Sequence, residues 1–226
     1  MKTALLTATA VCAAIAIAGC GSSSSNSSSS SGASSTSTAS SGASTAAAKS
    51  SPGPEGIPLE QGPALAPASS TSPGTVIDGL IQCAPIEQLA YHIHVHLQVY
   101  DNGQPRALPA AIGLLGPVSQ QTQDGPFYGA TKCYYWLHTH ASDGIIHVES
   151  PTPHIYTLGN FFDEWRQPLS STQVATASGK VTAYLNGKLW AGSPRSIPLK
   201  PHFQIQLDVG KPLVPFAPIS FAGSGL

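Results

Sequence analysis

The chain has 226 residues, with 10 Lys+Arg against 11 Asp+Glu for a formal net charge of -1, and only 9% of its residues are charged. So few cations, with no basic stripe, exclude nucleic-acid recognition through phosphate neutralisation. Nucleic acid is therefore not an expected partner.

The chain opens with Lys2, an apolar run over 4–18 and then "IAGC". This is the layout of a secretory signal ending at small residues, and it is too short for a stable membrane-spanning helix. The closing "AGC" resembles the lipobox of bacterial lipoproteins, in which the leader, here 1–19, is cut off and the cysteine, here Cys20, is diacylated. An ordinary signal peptide with an incidental cysteine, or a buried apolar N-terminal helix, are the alternatives. The lipoprotein reading implies an extracytoplasmic protein held to a membrane by N-terminal lipid, in the periplasm or at the cell surface.

Residues 20–72 are dominated by Ser, Ala, Gly, Thr and Pro. Such a segment lacks the apolar surface to offset its ordering entropy, so it is expected to be a disordered tether. That leaves a domain over 75–226, about 150 residues, enough for one core. Of the 4 cysteines, Cys12 leaves with the leader and Cys20 takes lipid, so Cys83 and Cys133 remain. In an oxidising compartment they are expected to pair. The alternative, thiolate metal ligands, is weaker because neither lies in a CxxC spacing.

"LAYHIHVHLQVYDNGQ" alternates: His92, His94, His96 and Gln98 share one face, Ile93, Val95, Leu97 and Val99 the other, and Asp101, Asn102 and Gly103 form a turn. "CYYWLHTH" reads as a strand presenting His138 and His140, with Tyr134, Tyr135 and Trp136 as packing residues. "GIIHVES" reads as its hairpin partner across Ala141–Gly144, with His147 and Glu149 on one face. In "TLGNFFDEWRQPLS", Leu158, Phe161, Phe162, Trp165 and Leu169 predict one short amphipathic helix, capped by Thr157 or Asn160 and stopped by Pro168. Its charged face, Asp163, Glu164 and Arg166, is expected in solvent. "KVTAYLNGKLWAGSPRSIPLKPHFQIQLDVG" supplies further strands, one Asn-Gly turn and Pro-bounded connections. The expected fold is mainly β, a sandwich or small barrel with one short helix, disulfide-braced behind a tether.

"YHIHVHLQVYDNG", "YYWLHTHASDGIIHVESP" and "YTLGNFFDEWRQPLS" resemble a family of secreted or lipid-anchored bacterial and archaeal proteins, largely uncharacterised in function. The likeness extends to the cysteine near the start of the domain and to the later "NGK…IPL…I…VG" segment. It covers nearly all of the chain from Thr75 onward, and it implies extracytoplasmic location rather than a mechanism. This chain departs from the pattern at Ala141, where an aspartate is expected directly after the second histidine of "HTH"; Asp143 follows two positions later.

Neutral imidazoles suit borderline divalent ions, and a site needs three or four ligands converging within about 2.0–2.2 Å of one point. At about 3.3 Å rise per residue, His92 and His96 are roughly 13 Å apart and cannot share an ion. The expected site is therefore composite: a neighbouring pair among His92, His94 and His96, joined by His138 or His140, with His147 and Glu149 completing it or forming its edge. A polar solvent face, or core histidines satisfied by hydrogen bonds, is the alternative. His154 and His202 fall outside the alternation and are not expected as ligands.

The only Met is Met1, so soft Cu(I) coordination is poorly supported, and Zn(II) or Cu(II) is the favoured ion. Three functions follow: a tethered binder that buffers an ion or hands it to an extracytoplasmic protein partner; a metal-dependent enzyme, cupin-like oxygenase or hydrolase; or a metal-free structural or partner-binding β module.

Overall fold

A computed structural model of the chain describes residues 51–226. The expected leader over 1–19, the lipidated Cys20 and most of the expected tether lie outside the described residues. In chain order the strands are β1 (Cys83–Ala84), β2 (Tyr91–Asp101), β3 (Gln104–Arg106), β4 (Leu114–Thr122), β5 (Gly125–Tyr135), β6 (Leu137–His138) and β7 (Ile145–Ser150). The helix α1 (Leu158–Trp165) is followed by β8 (Gln173–Val174), β9 (Ala177–Ser178), β10 (Val181–Leu185), β11 (Lys188–Leu189) and β12 (Gln204–Val209).

The larger sheet runs β11-β10-β12-β2-β7-β6, with β3 also on β2; β1-β5-β4 form a second sheet and β8-β9 a small hairpin. Neither large sheet closes on itself, so the architecture is that of open sheets and not a barrel. All pairings are antiparallel except β12 with β2. β2 lies inside its sheet, with β12 on one side and β7 then β3 on the other. Its polar face is covered as well as its apolar one, by segments from outside the strand: Glu55 bonds His147 on the neighbouring β7, and Gly144 packs on His96. Val95, Leu97 and Val99 enter the core, while His94 and His96 are buried on the opposite side. The Asn102-Gly103 and Asn186-Gly187 pairs all take positive φ, as two-residue hairpin turns that match strand twist require.

"CYYWLHTH" is not one strand. β5 ends at Tyr135 in the smaller sheet, the chain turns at Trp136, and β6 begins at Leu137 in the larger one. This crossing places the smaller sheet beside the histidine face. Cys83 and Cys133 form the expected disulfide, 50 residues apart in sequence, tying the segment at β1 to β5. A loop of that length is worth about 4 kcal/mol on the chain-entropy view.

The helix starts as expected. Thr157 and Asn160 form a reciprocal capping box, and Arg166 ends the helix in left-handed conformation, ahead of Pro168. Leu158, Phe161, Phe162 and Trp165 are fully buried. The charged face needs correction. Asp163 pairs with Arg195, but Glu164 is fully buried, and neither of its carboxyl oxygens has a hydrogen-bond partner among the described residues. Burial pushes its carboxyl well above the usual range.

The folded protein thus keeps Glu164 neutral while the unfolded chain ionises it above about 4.5, so its contribution to stability is lost as pH rises. Replacing Glu164 by Met removes two orphaned oxygens at similar volume. The expected gain is about 1–3 kcal/mol at pH 8 in denaturant unfolding, and less at pH 4. Equal gains at both pH values would contradict the assignment.

The boundary of the tether also needs correction. Composition predicts disorder over 51–72, yet Ile57 and Leu65 are fully buried, and Ala66 nearly so. Pro67 accepts the Trp165 indole N–H at 3.1 Å, and Leu65 N donates to Ala107 O at 2.8 Å. A few well-spaced apolar side chains, together with backbone pairing to the domain, fix a segment whose composition alone argues for coil.

Candidate metal centre

Register brings the histidines together. Along β2 and β7, His92 stands opposite Glu149 and His94 opposite His147; along β6 and β7, His138 stands opposite His147. His140 follows β6 and folds back over the same face. Two groups of donor atoms result, each within 4.8 Å of one another: His138, His140, His147 and Glu149, and, nearer the surface, His92, His94 and His147. Both have the residues to hold a metal ion.

The first group is preorganised by what lies behind it. His138 Nδ1 donates to Tyr135 O at 2.8 Å and His140 Nδ1 donates to Tyr128 O at 2.6 Å. A carbonyl can only accept, so in the neutral rings both Nε2 atoms carry lone pairs. Those two atoms face each other at 3.1 Å, a close approach of two acceptors that calls for a shared cation. His147 Nε2 donates to Glu55 Oε1 at 2.6 Å, which turns Nδ1 toward the same space. Glu149 Oε1 lies 3.4 Å from His147 Nδ1 and 3.7 Å from His138 Nε2. Three imidazole nitrogens and one carboxylate oxygen therefore converge, each imidazole with its outer nitrogen tied to a carbonyl or carboxylate, as in metal sites generally. Phe127 stacks on His140 with centroids 4.4 Å apart, fixing the ring plane.

The electrostatics follow the same division. Burial, then the neighbouring His140 and His147 charges, hold His138 well below the ordinary imidazole range. Burial and the His147 charge lower His140 to about 4. For His147 burial acts in the same direction, but hydrogen bonds and charge from Glu149 and Glu55 outweigh it and raise the ring to about 9. In the metal-free protein His147 is thus a cation between two carboxylates, while its neighbours offer free lone pairs.

The remaining candidates fall differently. His96 belongs to neither group. Its ring bonds the Asp143 carbonyl and packs on Gly144, where a Cβ would fall 2.8 Å from Nε2. Gly144 also has φ +80, so glycine is required there on both counts. His94 takes part only in the outer group, its Nε2 buried and without a partner among the described residues. His154 and His202 lie outside both groups, His202 stacking on Phe221 at 4.5 Å. Cys83 and Cys133, being disulfide-bonded, are not thiolate ligands.

Sequence reasoning misses Glu55 because it sits in "SPGPEGIP", a stretch with the composition of a tether; the clue is an acidic residue two positions before Ile57 in a segment almost free of both types. Glu87, whose Oε1 is 3.5 Å from His140 Nε2, carries no local signal. Asp143 is fully buried, and burial followed by the Glu55 charge pushes its carboxyl up to about 8. Its side chain lies beside Glu55, whose Oε1 accepts from His147. Asp143 thus sits two steps behind a ligand. No known protein family, no curated protein and no solved structure matches the chain.

Proposed function

We propose that the protein is an extracytoplasmic, lipid-anchored binder of one divalent transition metal ion, held by His138, His140, His147 and Glu149. The observation that carries this reading is the opposition of the His138 and His140 Nε2 lone pairs at 3.1 Å, both fixed from behind by backbone carbonyls. Three imidazoles and a carboxylate, with no thiolate or thioether, suit Zn(II) or Cu(II). The bound ion would supply a positive charge that satisfies the converging lone pairs. The chain's own residues set the tautomers, exclude water and hold the carboxylate in place.

Binding is favoured over catalysis by burial, since each of the four ligand residues is at most 5% exposed. A catalytic ion keeps a position open to water or substrate. Anchoring at Cys20 is supported by the lipobox-like "IAGC" and by the resemblance of the histidine runs to secreted and lipid-anchored proteins. A Ser-, Gly- and Ala-rich tether behind Cys20 would let the domain present the ion to a protein partner near the membrane. Protein purified without a histidine tag is expected to carry or take up one equivalent of Zn(II) or Cu(II). Less than about half an equivalent by elemental analysis, with no uptake on titration, would remove the reading.

A further inference from the structure

Two donor groups share one residue, and that sharing has a chemical consequence. His147 belongs to both groups, yet its Nε2 is committed to Glu55 at 2.6 Å. Only Nδ1 remains, and one nitrogen lone pair serves one ion at a time. The groups also differ in depth. The His92 side chain is 33% exposed, His94 is 8% exposed, and His138 is fully buried. Glu149 Oε1 bridges them, 3.0 Å from His92 Nε2, 3.4 Å from His147 Nδ1 and 3.7 Å from His138 Nε2. His94 Nε2, buried and unpartnered among the described residues, marks the outer group as a place where a donor awaits an acceptor. The ring of His94 lies 4.5 Å from those of both His92 and His147 by centroid.

We infer that His92, His94 and His147 form a second, shallower cation site that is the port for the buried one. The ion is first taken by His92 and His94 at the exposed margin. It then passes to His138 and His140, with His147 and Glu149 in contact with it on both sides of the move. The two sites are filled alternately, never together, and release retraces the same path. This inference rests on the metal-binding reading and adds a route and an order to it.

The test separates a port from a plain ligand set. In the full chain, with Zn(II) loading and release to a chromophoric chelator followed by stopped flow, the double variant His92→Ala, His94→Ala is expected to load at least tenfold more slowly. Its release is slowed in the same proportion, because a lost port obstructs both directions. Faster release with unchanged loading would make the pair ordinary ligands and overturn the inference, as would unchanged rates in both directions.

The complementary variant His138→Ala, His140→Ala is expected to retain one weak, rapidly exchanging Zn(II) at the outer group; no binding at all by that variant contradicts the second site. Two ions bound at once by the wild type contradict alternate filling. The metal-binding reading itself fails only if the wild type takes up no ion, which distinguishes the two outcomes. Circular dichroism of each variant establishes that it is folded before its rates are compared.

Discussion

Replacing His138 and His140 together by alanine is expected to lower affinity for Zn(II) about 10⁴-fold, while the His154→Ala, His202→Ala pair stays within about threefold of wild type. Binding of a structural four-ligand zinc is worth about 10–16 kcal/mol, so each ligand contributes on the order of 3 kcal/mol, roughly a hundredfold, and two removed together cost about 10⁴. The contrast with His154 and His202 controls for histidine content. Those two lie outside both donor groups, and each already has an aromatic neighbour, Tyr156 and Phe221. Competition against a chelator of known affinity measures the difference. Comparable losses in the two double variants would show that the protein binds metal through scattered surface imidazoles and not through the converging set.

Affinity is also expected to depend steeply on pH, through one proton. His138 and His140 are held below the ordinary imidazole range, His140 at about 4, so their lone pairs are free at neutral pH. His147 is raised to about 9 despite its burial, because Glu149 and Glu55 flank it. An ion arriving at Nδ1 therefore displaces a proton throughout the range below about 9. Apparent affinity rises about tenfold per pH unit there, hence roughly a hundredfold from pH 6 to pH 8, and levels off above 9.

Calorimetry in buffers of different ionisation heat is expected to report about one proton released per ion at pH 7. No proton release, together with an affinity flat across that range, would contradict the electrostatic description of His147. The same shift has a consequence for the metal-free fold. A folded pKa raised above the ordinary 6.5 contributes stability that is complete below 6.5 and is lost as pH rises through about 9.

Much of the site is legible in the alternation of β2 and β7, because side-chain direction in a strand follows from residue parity. Parity alone sets His92 and His94 on one face of their strand and His147 and Glu149 on one face of theirs, and the rise per residue separates His92 from His96. The pairing of Cys83 with Cys133 follows by elimination, and the helix start follows from Thr157 and Asn160.

Three things are hidden, each for a physical reason. Residues 51–72 look like coil because Pro, Ser and Ala dominate, while the few side chains that matter, Glu55, Ile57 and Leu65, are too sparse to set a period. The break at Trp136 divides a run whose β-propensity is uniform, and only packing against two different sheets reveals it. His96 shares the parity of its neighbours, but the Asp143-Gly144 turn lies across it and claims its ring. Tertiary contacts that arrive from distant segments leave no local periodicity, and Glu55 reaching His147 across 92 residues is the clearest case.

In the proposed site four particular atoms converge on one ion. Anomalous diffraction at the absorption edge of zinc, from crystals of untagged protein loaded with one equivalent, tests it most directly. The expected result is a single strong peak bonded at about 2.0–2.2 Å to His138 Nε2, His140 Nε2, His147 Nδ1 and a Glu149 carboxylate oxygen. A peak elsewhere, or a loaded protein whose His138 and His140 still face each other with nothing between them, would contradict it.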